Sequence, residues 1–194
     1  MIPIKSIAPV IGMLYAPDNM PKRPTIDYEL GGIGLQNPAD GLELQTWRCW
    51  FDRDTASVMI EAPNTPPTLI FEQDRIVWLS FAFDQNMRWA AVYTLSDGYS
   101  YLRWYNSLIG DYDITALDAG VVTPFLTLDD KRYLQVNSGR SDVVLAYIQD
   151  QKVYVRVQRE RFLIAHLWQE DLPKDWIIRN FGMSNKLRLQ MEIR

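Results

Sequence analysis

The stretch Ala90-Ala91-Val92-Tyr93-Thr94-Leu95-Ser96-Asp97-Gly98-Tyr99-Ser100-Tyr101-Leu102-Arg103-Trp104 decides the fold. Two runs rich in β-branched and aromatic residues flank an Asp-Gly turn, which is a strong signal for an antiparallel hairpin. The stretch returns further along. Val143-Val144-Leu145-Ala146-Tyr147-Ile148, a turn at Asp150-Gln151, and Tyr154-Val155-Arg156-Val157 can be laid over it. Tyr93 then matches Tyr147 at a separation of 54, while Tyr101 matches Tyr154 and Arg103 matches Arg156 at 53. The one-residue difference falls in the turns, where a change of length costs little. An internal repeat over about 88–105 and 141–158 is therefore expected. A chance likeness between two Tyr- and Val-rich hairpins is the competing explanation. A third echo joins Phe51-Asp52-Arg53-Asp54 to Phe83-Asp84-Gln85-Asn86, each a strand running into an Asx-rich turn.

Outward from this repeat, short runs follow one another with turn residues between them. They are Gln45–Phe51, Ser57–Ala62, Thr68–Glu72, Ile76–Phe83, Arg88–Leu95, Tyr99–Tyr105, Asp113–Ala116, Phe125–Leu128, Asp142–Gln149, Val153–Gln158 and Phe162–Trp168. No window keeps a helical period. The last run, Lys186–Arg194, alternates polar and apolar residues and places Leu187, Leu189, Met191 and Ile193 on one face. The expected fold is all-β: antiparallel hairpin units resembling a few propeller-like blades, too few to close a ring. Residues 45–194 form this core. Residues 1–44 carry Pro3, Pro9, Pro17, Pro21, Pro24 and Pro38 with five glycines, and read as an irregular arm with short extended pieces such as Ile7–Leu14.

Composition narrows the function. The 194 residues suit one domain that buries about 70% of its unfolded surface. Net charge is −4, so a broad basic footprint for nucleic acid is missing. The late basic residues Arg156, Arg159, Arg161, Arg179, Lys186, Arg188 and Arg194 are interspersed with acids and read as a solvated face. Cys49 is the one cysteine, which excludes an intrachain disulfide and suits synthesis in a reducing cytoplasm. Met1–Lys5 shows neither an apolar core nor a small-residue cleavage site of an export signal, and no apolar run reaches the ~20 residues of a membrane span.

Catalytic candidates are sparse. His166 is the one histidine and sits among apolar residues, so a packed or surface role is expected. One His and one Cys cannot assemble the usual zinc sites. Asp52 with Asp54, Asp111 with Asp113 and Asp118, and Asp129 with Asp130 lack the glycine and glutamate of an EF-hand and read as turn chemistry. Gly31-Gly32-Ile33-Gly34 lacks the following helix of a dinucleotide loop, because Asn37-Pro38 comes too soon. No enzyme activity, metal or cofactor is expected. The aromatics are the remaining candidates. Alternation puts Tyr99, Tyr101, Arg103 and Tyr105 on one strand face, and Leu102 with Trp104 on the other. The second pair belongs in a core. Tyr99, Tyr101 and Tyr105 suit either a core or an exposed interface or ligand-stacking surface.

Several short segments have a familiar pattern. They are Phe81–Arg88, Leu128–Arg132, Ser141–Tyr147, Gln158–Phe162, and the ending Gly182-Met183-Ser184-Asn185 with Leu187–Ile193. Together, from about Gly31 to the C-terminus, they resemble small virion structural proteins of tailed bacteriophages, particularly short-tailed ones. The resemblance implies a multi-copy tail or head-to-tail component, located in the virion and contacting other virion proteins and its own copies. It brings no catalytic residues. A carbohydrate- or receptor-binding module on a tail appendage is the alternative.

Overall fold

A computed structural model describes residues 14–15, 26–35, 44–61, 65–84, 86, 88–130, 141–183 and 189–194. Fifteen strands carry the described fold, with no α-helix among the described residues. Every strand pairing is antiparallel, and each sheet is a meander of consecutive strands.

Sheet 1 contains β1 (Leu14–Tyr15), β2 (Ile26–Leu35), β3 (Leu44–Asp52), β4 (Ser57–Glu61) and β5 (Thr68–Glu72). Sheet 2 contains β6 (Ile76–Phe83), β7 (Trp89–Leu95), β8 (Ser100–Asn106) and β9 (Asp111–Ala116). Sheet 3 contains β10 (Val122–Asp130), β11 (Ser141–Gln149), β12 (Lys152–Val157) and β13 (His166–Gln169). Sheet 4 pairs β14 (Ile178–Met183) with β15 (Leu189–Ile193).

The sheets pack face to face in chain order, and three apolar cores lie between them. Strand alternation builds these cores. In β7, Ala91, Tyr93 and Leu95 join Cys49, Phe51, Val58 and Phe71 of sheet 1. Ala90 and Val92 turn the other way, toward Leu126, Leu128, Val143, Leu145 and Tyr147 of sheet 3. In β11, Val144, Ala146 and Ile148 face Ile178, Phe181 and Met191 of sheet 4. Both middle strands are thus buried on two faces, which explains their nearly unbroken apolar sequence.

The early strands of the sheets gather together, β2, the second strand of sheet 1, against β6, β6 against β10 and β10 against β14. Hydrogen bonds tie the later ones in series. The Leu126 amide donates to Ser80 Oγ at 2.9 Å, Trp78 Nε1 to the Pro124 carbonyl at 2.7 Å, and the Ile178 amide to Thr123 Oγ1 at 3.0 Å. Early strands drawn together, with meanders stacked face to face, make the blade-like arrangement expected from the hairpin spacing.

The repeated stretches adopt the same register. Tyr93 sits opposite Tyr101 and Tyr147 opposite Tyr154, and each pair of rings stacks with centroids 5.7 Å apart and planes 26° apart. Their turns differ in detail. Gly98 has φ 87°, whereas Asp150 and Gln151 hold φ of 49° and 60° without glycine.

Four expectations need correction. The stretch 1–44 is not irregular to its end, because β2 pairs with β3 from Leu35↔Leu44 back to Ile26↔Asp52. The Gly31–Gly34 cluster lies inside that strand, so it is no loop; the expected extended piece Ile7–Leu14, apart from Leu14 itself in β1, lies outside the described residues. Phe162–Trp168 is not one strand. A 3-10 turn at Gln158–Glu160 leads into Arg161 and Phe162, both at φ 56°, and pairing resumes only at His166. This detour drives Phe162, fully buried, edge-on against Trp104 at 5.3 Å. Strand β14 was not expected at all. Finally, Arg156 is not on a solvated face. It is 9% exposed and bonds Tyr147 Oη, the Phe162 carbonyl and Asp118.

Candidate functional site

Alternation along β8 sends Leu102 and Trp104 into the core shared with sheet 3, and turns Tyr101, Arg103 and Tyr105 toward sheet 1, half-buried. Tyr99 lies just before the strand and is 55% exposed, its amide held by the Asp97 carboxylate at 3.1 Å. Tyr101 stacks on Tyr93. Tyr105 meets Tyr112 edge-on at 5.6 Å, and the Arg88 guanidinium lies 4.1 Å from its ring centre.

The two half-buried tyrosines end one continuous series of rings. From Tyr101 it runs to Tyr93, Phe71 at 5.3 Å, Trp89 at 5.7 Å, Tyr112 at 3.9 Å and Tyr105. Phe71 brings the edge strand of sheet 1 into the series, and Arg103 lies over its ring at 4.6 Å. Each ring has a face or an edge engaged by another, and such contacts add about 0.5–1.5 kcal/mol beyond area burial. The series joins sheets 1 and 2 and holds Tyr101 and Tyr105 in fixed places. Tyr99 stands apart from it. Burial pushes the Tyr93 and Tyr112 phenols up from their ordinary range, and burial does the same to Tyr147 against the lowering effect of Arg156.

The reactive side chains stay apart. Cys49 is fully buried between sheets 1 and 2, and burial raises its thiol well above the usual value. His166 lies on the outer strand of sheet 3, bonded through Nε2 to Glu160 at 2.6 Å. Asp52 serves a backbone turn, accepting from the amides of Asp54 and Thr55. The turn reading fails for the other pairs, since Asp111 and Asp113 lie within β9 and accept from the next amides, of Tyr112 and Ile114, and Asp129 and Asp130 end β10. Among the described residues no three His, Cys, Asp or Glu side chains converge as metal ligands would.

Exposed apolar residues concentrate on the outer strands. Leu163 and Ile164 on the approach to β13, and Leu167 and Trp168 within it, are all exposed, Leu163 to 66%. Leu108, Ile109 and Ile114 do the same around β9. Composition alone could not single these residues out, because the same types fill the cores.

Comparison with protein-family models, with curated proteins and with solved structures finds no match to this chain.

Proposed function

We propose that the chain is a structural assembly component that acts through protein contacts and carries out no chemistry. Its place is the tail or head-to-tail region of a tailed-phage virion, as the quoted motifs suggest, after synthesis in the host cytoplasm. The observation that best supports an assembly role is the apolar exposure along β13 and its approach. Edge strands present unpaired backbone groups, and proteins that stay monomeric blunt them with charge. Here Leu163, Ile164, Leu167 and Trp168 occupy the edge instead. Such surfaces serve lasting contacts, which bury more than about 2,000 Å² in obligate assemblies.

Sedimentation velocity at tens of micromolar tests the proposal, with circular dichroism as the folding control. The full chain is expected to sediment as an oligomer or to join a virion complex, and Leu163→Glu with Leu167→Glu to disperse it without loss of strand signal. A monomer in both cases, with no virion association, sinks the proposal. A binding module for carbohydrate or receptor then takes its place. The half-exposed row Tyr101, Arg103 and Tyr105 favours that second reading, and a glycan screen with Tyr105→Ala as control tests it.

A further inference from the structure

Four connections that are distant in sequence meet at one end of sheets 2 and 3. They are the β6–β7 turn, the β8–β9 turn, the start of β11 and the 3-10 turn after β12. Between them opens a cleft of about 320 Å³, at the lower end of the range for ligand sites. Asp84, Arg88, Tyr105, Asp142, Arg159 and Arg161 define its charge and shape.

Two of the arginines are held in place. Asp84 is 3% exposed and accepts from the Asn86 amide at 2.8 Å, the Arg88 amide at 2.9 Å and Arg88 Nε at 3.0 Å. With Nε latched to Asp84 and the guanidinium carbon lying over the Tyr105 ring, the remaining donors of Arg88 have a fixed direction. Arg159 is fixed twice by Asp142, through its amide at 3.2 Å and its guanidinium at 3.3 Å. Arg161 differs. The turn fixes its backbone in the left-handed region, and its guanidinium has no ion pair among the described residues. The lining therefore carries three cations against two carboxylates and is one positive charge in excess.

An oriented arginine beside an unpaired one is an arrangement suited to a planar oxyanion, which accepts paired N–H bonds. We propose that this cleft receives a carboxylate side chain from an acidic segment of a protein partner. The proposal rests on the assembly reading and gives that reading a second contact, polar where the β13 edge is apolar. One carboxylate matches the excess charge, and the engaged aspartates exclude a second anion by repulsion.

Arginine Nε and backbone amide chemical shifts, followed by NMR on the full chain, test it. The probes are a capped triglutamate peptide, a capped triglutamine peptide, glucuronate and inorganic phosphate. Triglutamate is expected to shift Arg88, Arg159 and Arg161 with millimolar affinity, and triglutamine to leave them unmoved. Arg161→Gln is expected to weaken triglutamate at least fivefold, whereas Arg179→Gln, exposed on β14, leaves it unchanged. Equal shifts with triglutamine, no shift at all, or tighter binding of phosphate or glucuronate than of triglutamate would each overturn the proposal. A chain that assembles yet ignores triglutamate refutes the cleft alone. One that binds triglutamate but stays monomeric and joins no complex refutes the assembly reading alone.

Discussion

Sheets 2 and 3 carry the same three side chains at the same register and treat the arginine differently. In sheet 2, Arg103 lies on the Phe71 ring, and its Nε is buried without a hydrogen-bond partner. In sheet 3, Arg156 donates to Tyr147 Oη at 2.9 Å, to the Phe162 carbonyl at 3.2 Å and to Asp118. One bond, to Tyr147 Oη, lies within the hairpin, where the counterpart Tyr93 leaves Arg103 Nε unbonded; the rest of the difference lies outside it. It comes from the connections around the hairpins: Asp118 arrives from the loop before β10, and Phe162 from the detour after β12. In sheet 2 the loop before β6 also carries an aspartate, Asp74, but it pairs with its neighbour Arg75. A motif of three residues thus sets the stacking of two tyrosines, and the loops decide what happens to the charge beside them.

The comparison breaks most visibly at Phe162. Phe162→Ala empties a fully buried site against Trp104 and is expected to cost about 3–5 kcal/mol, read from urea unfolding at constant slope. The arginines come next. Arg156→Ala leaves a buried hydroxyl and a carbonyl short of a donor and is expected to cost about 2–3 kcal/mol, against about 1 kcal/mol for Arg103→Ala, which loses a cation–π contact. Equal losses in the two variants would mean that the loops contribute nothing to the arginine site.

The turns give a smaller effect of opposite sign. Gly98→Ala places a Cβ at φ 87° and is expected to destabilise by about 1 kcal/mol, whereas Gln151→Gly relieves a left-handed residue and is expected to stabilise by up to about 1 kcal/mol. Thermal midpoints moving in the same direction would contradict the assignment of both as tight hairpin turns. The mildest effect concerns alkali. Tyr93 and Tyr147 have phenols raised by burial, so their contribution is intact below the ordinary tyrosine pKa of about 10 and is lost as pH climbs through the raised values. Cys49, raised by burial as well, loses its contribution from the ordinary thiol pKa of about 8.5 upward, so unfolding midpoints are expected to begin falling there and to fall further above about pH 10, with the part above about pH 10 reduced in Tyr93→Phe.

Most of the fold was legible because its signals are local. Short runs rich in β-branched and aromatic residues marked the strands from Leu44 to Val157, and the turn residues between them marked their ends. Strand β14 escaped for a stated reason. A bulge between Ile178 and Asn180 shifts the register, so the buried Ile178 and Phe181 stand three residues apart and the two-residue period is lost. Strand β2 was hidden by Gly31, Gly32 and Gly34, poor strand formers that its pairing with β3 overrides. Phe162 looked like the first residue of a strand because consecutive left-handed residues leave no mark in side-chain type. Alternation along one strand put Tyr101 and Tyr105 on a common face, and there the structure places them. The arginine cleft was not found, since it is assembled from connections running from Asp84 to Arg161. The one local hint was the Asx turn at Phe83-Asp84-Gln85-Asn86, whose aspartate turned out to latch Arg88.

The serial stacking of the sheets also bears on how the chain matures on the ribosome. Each sheet is made from contiguous sequence, so its pairing can begin as soon as its own strands have emerged. Its second face must wait. Among the described residues, the side of β7 formed by Ala90 and Val92 packs into a core completed by later residues, from Leu117 and Val121 through Tyr147 of sheet 3 to Phe162 in the turn after β12. At synthesis rates of about 5–20 residues per second, that face stays bare for several seconds. A nascent chain therefore advances with an adhesive apolar surface at its growing end, passed from sheet 2 to sheet 3 to sheet 4. Chains stalled between sheets are the ones most exposed to wrong partners, and a chaperone or a correctly timed neighbour has its greatest effect at those points.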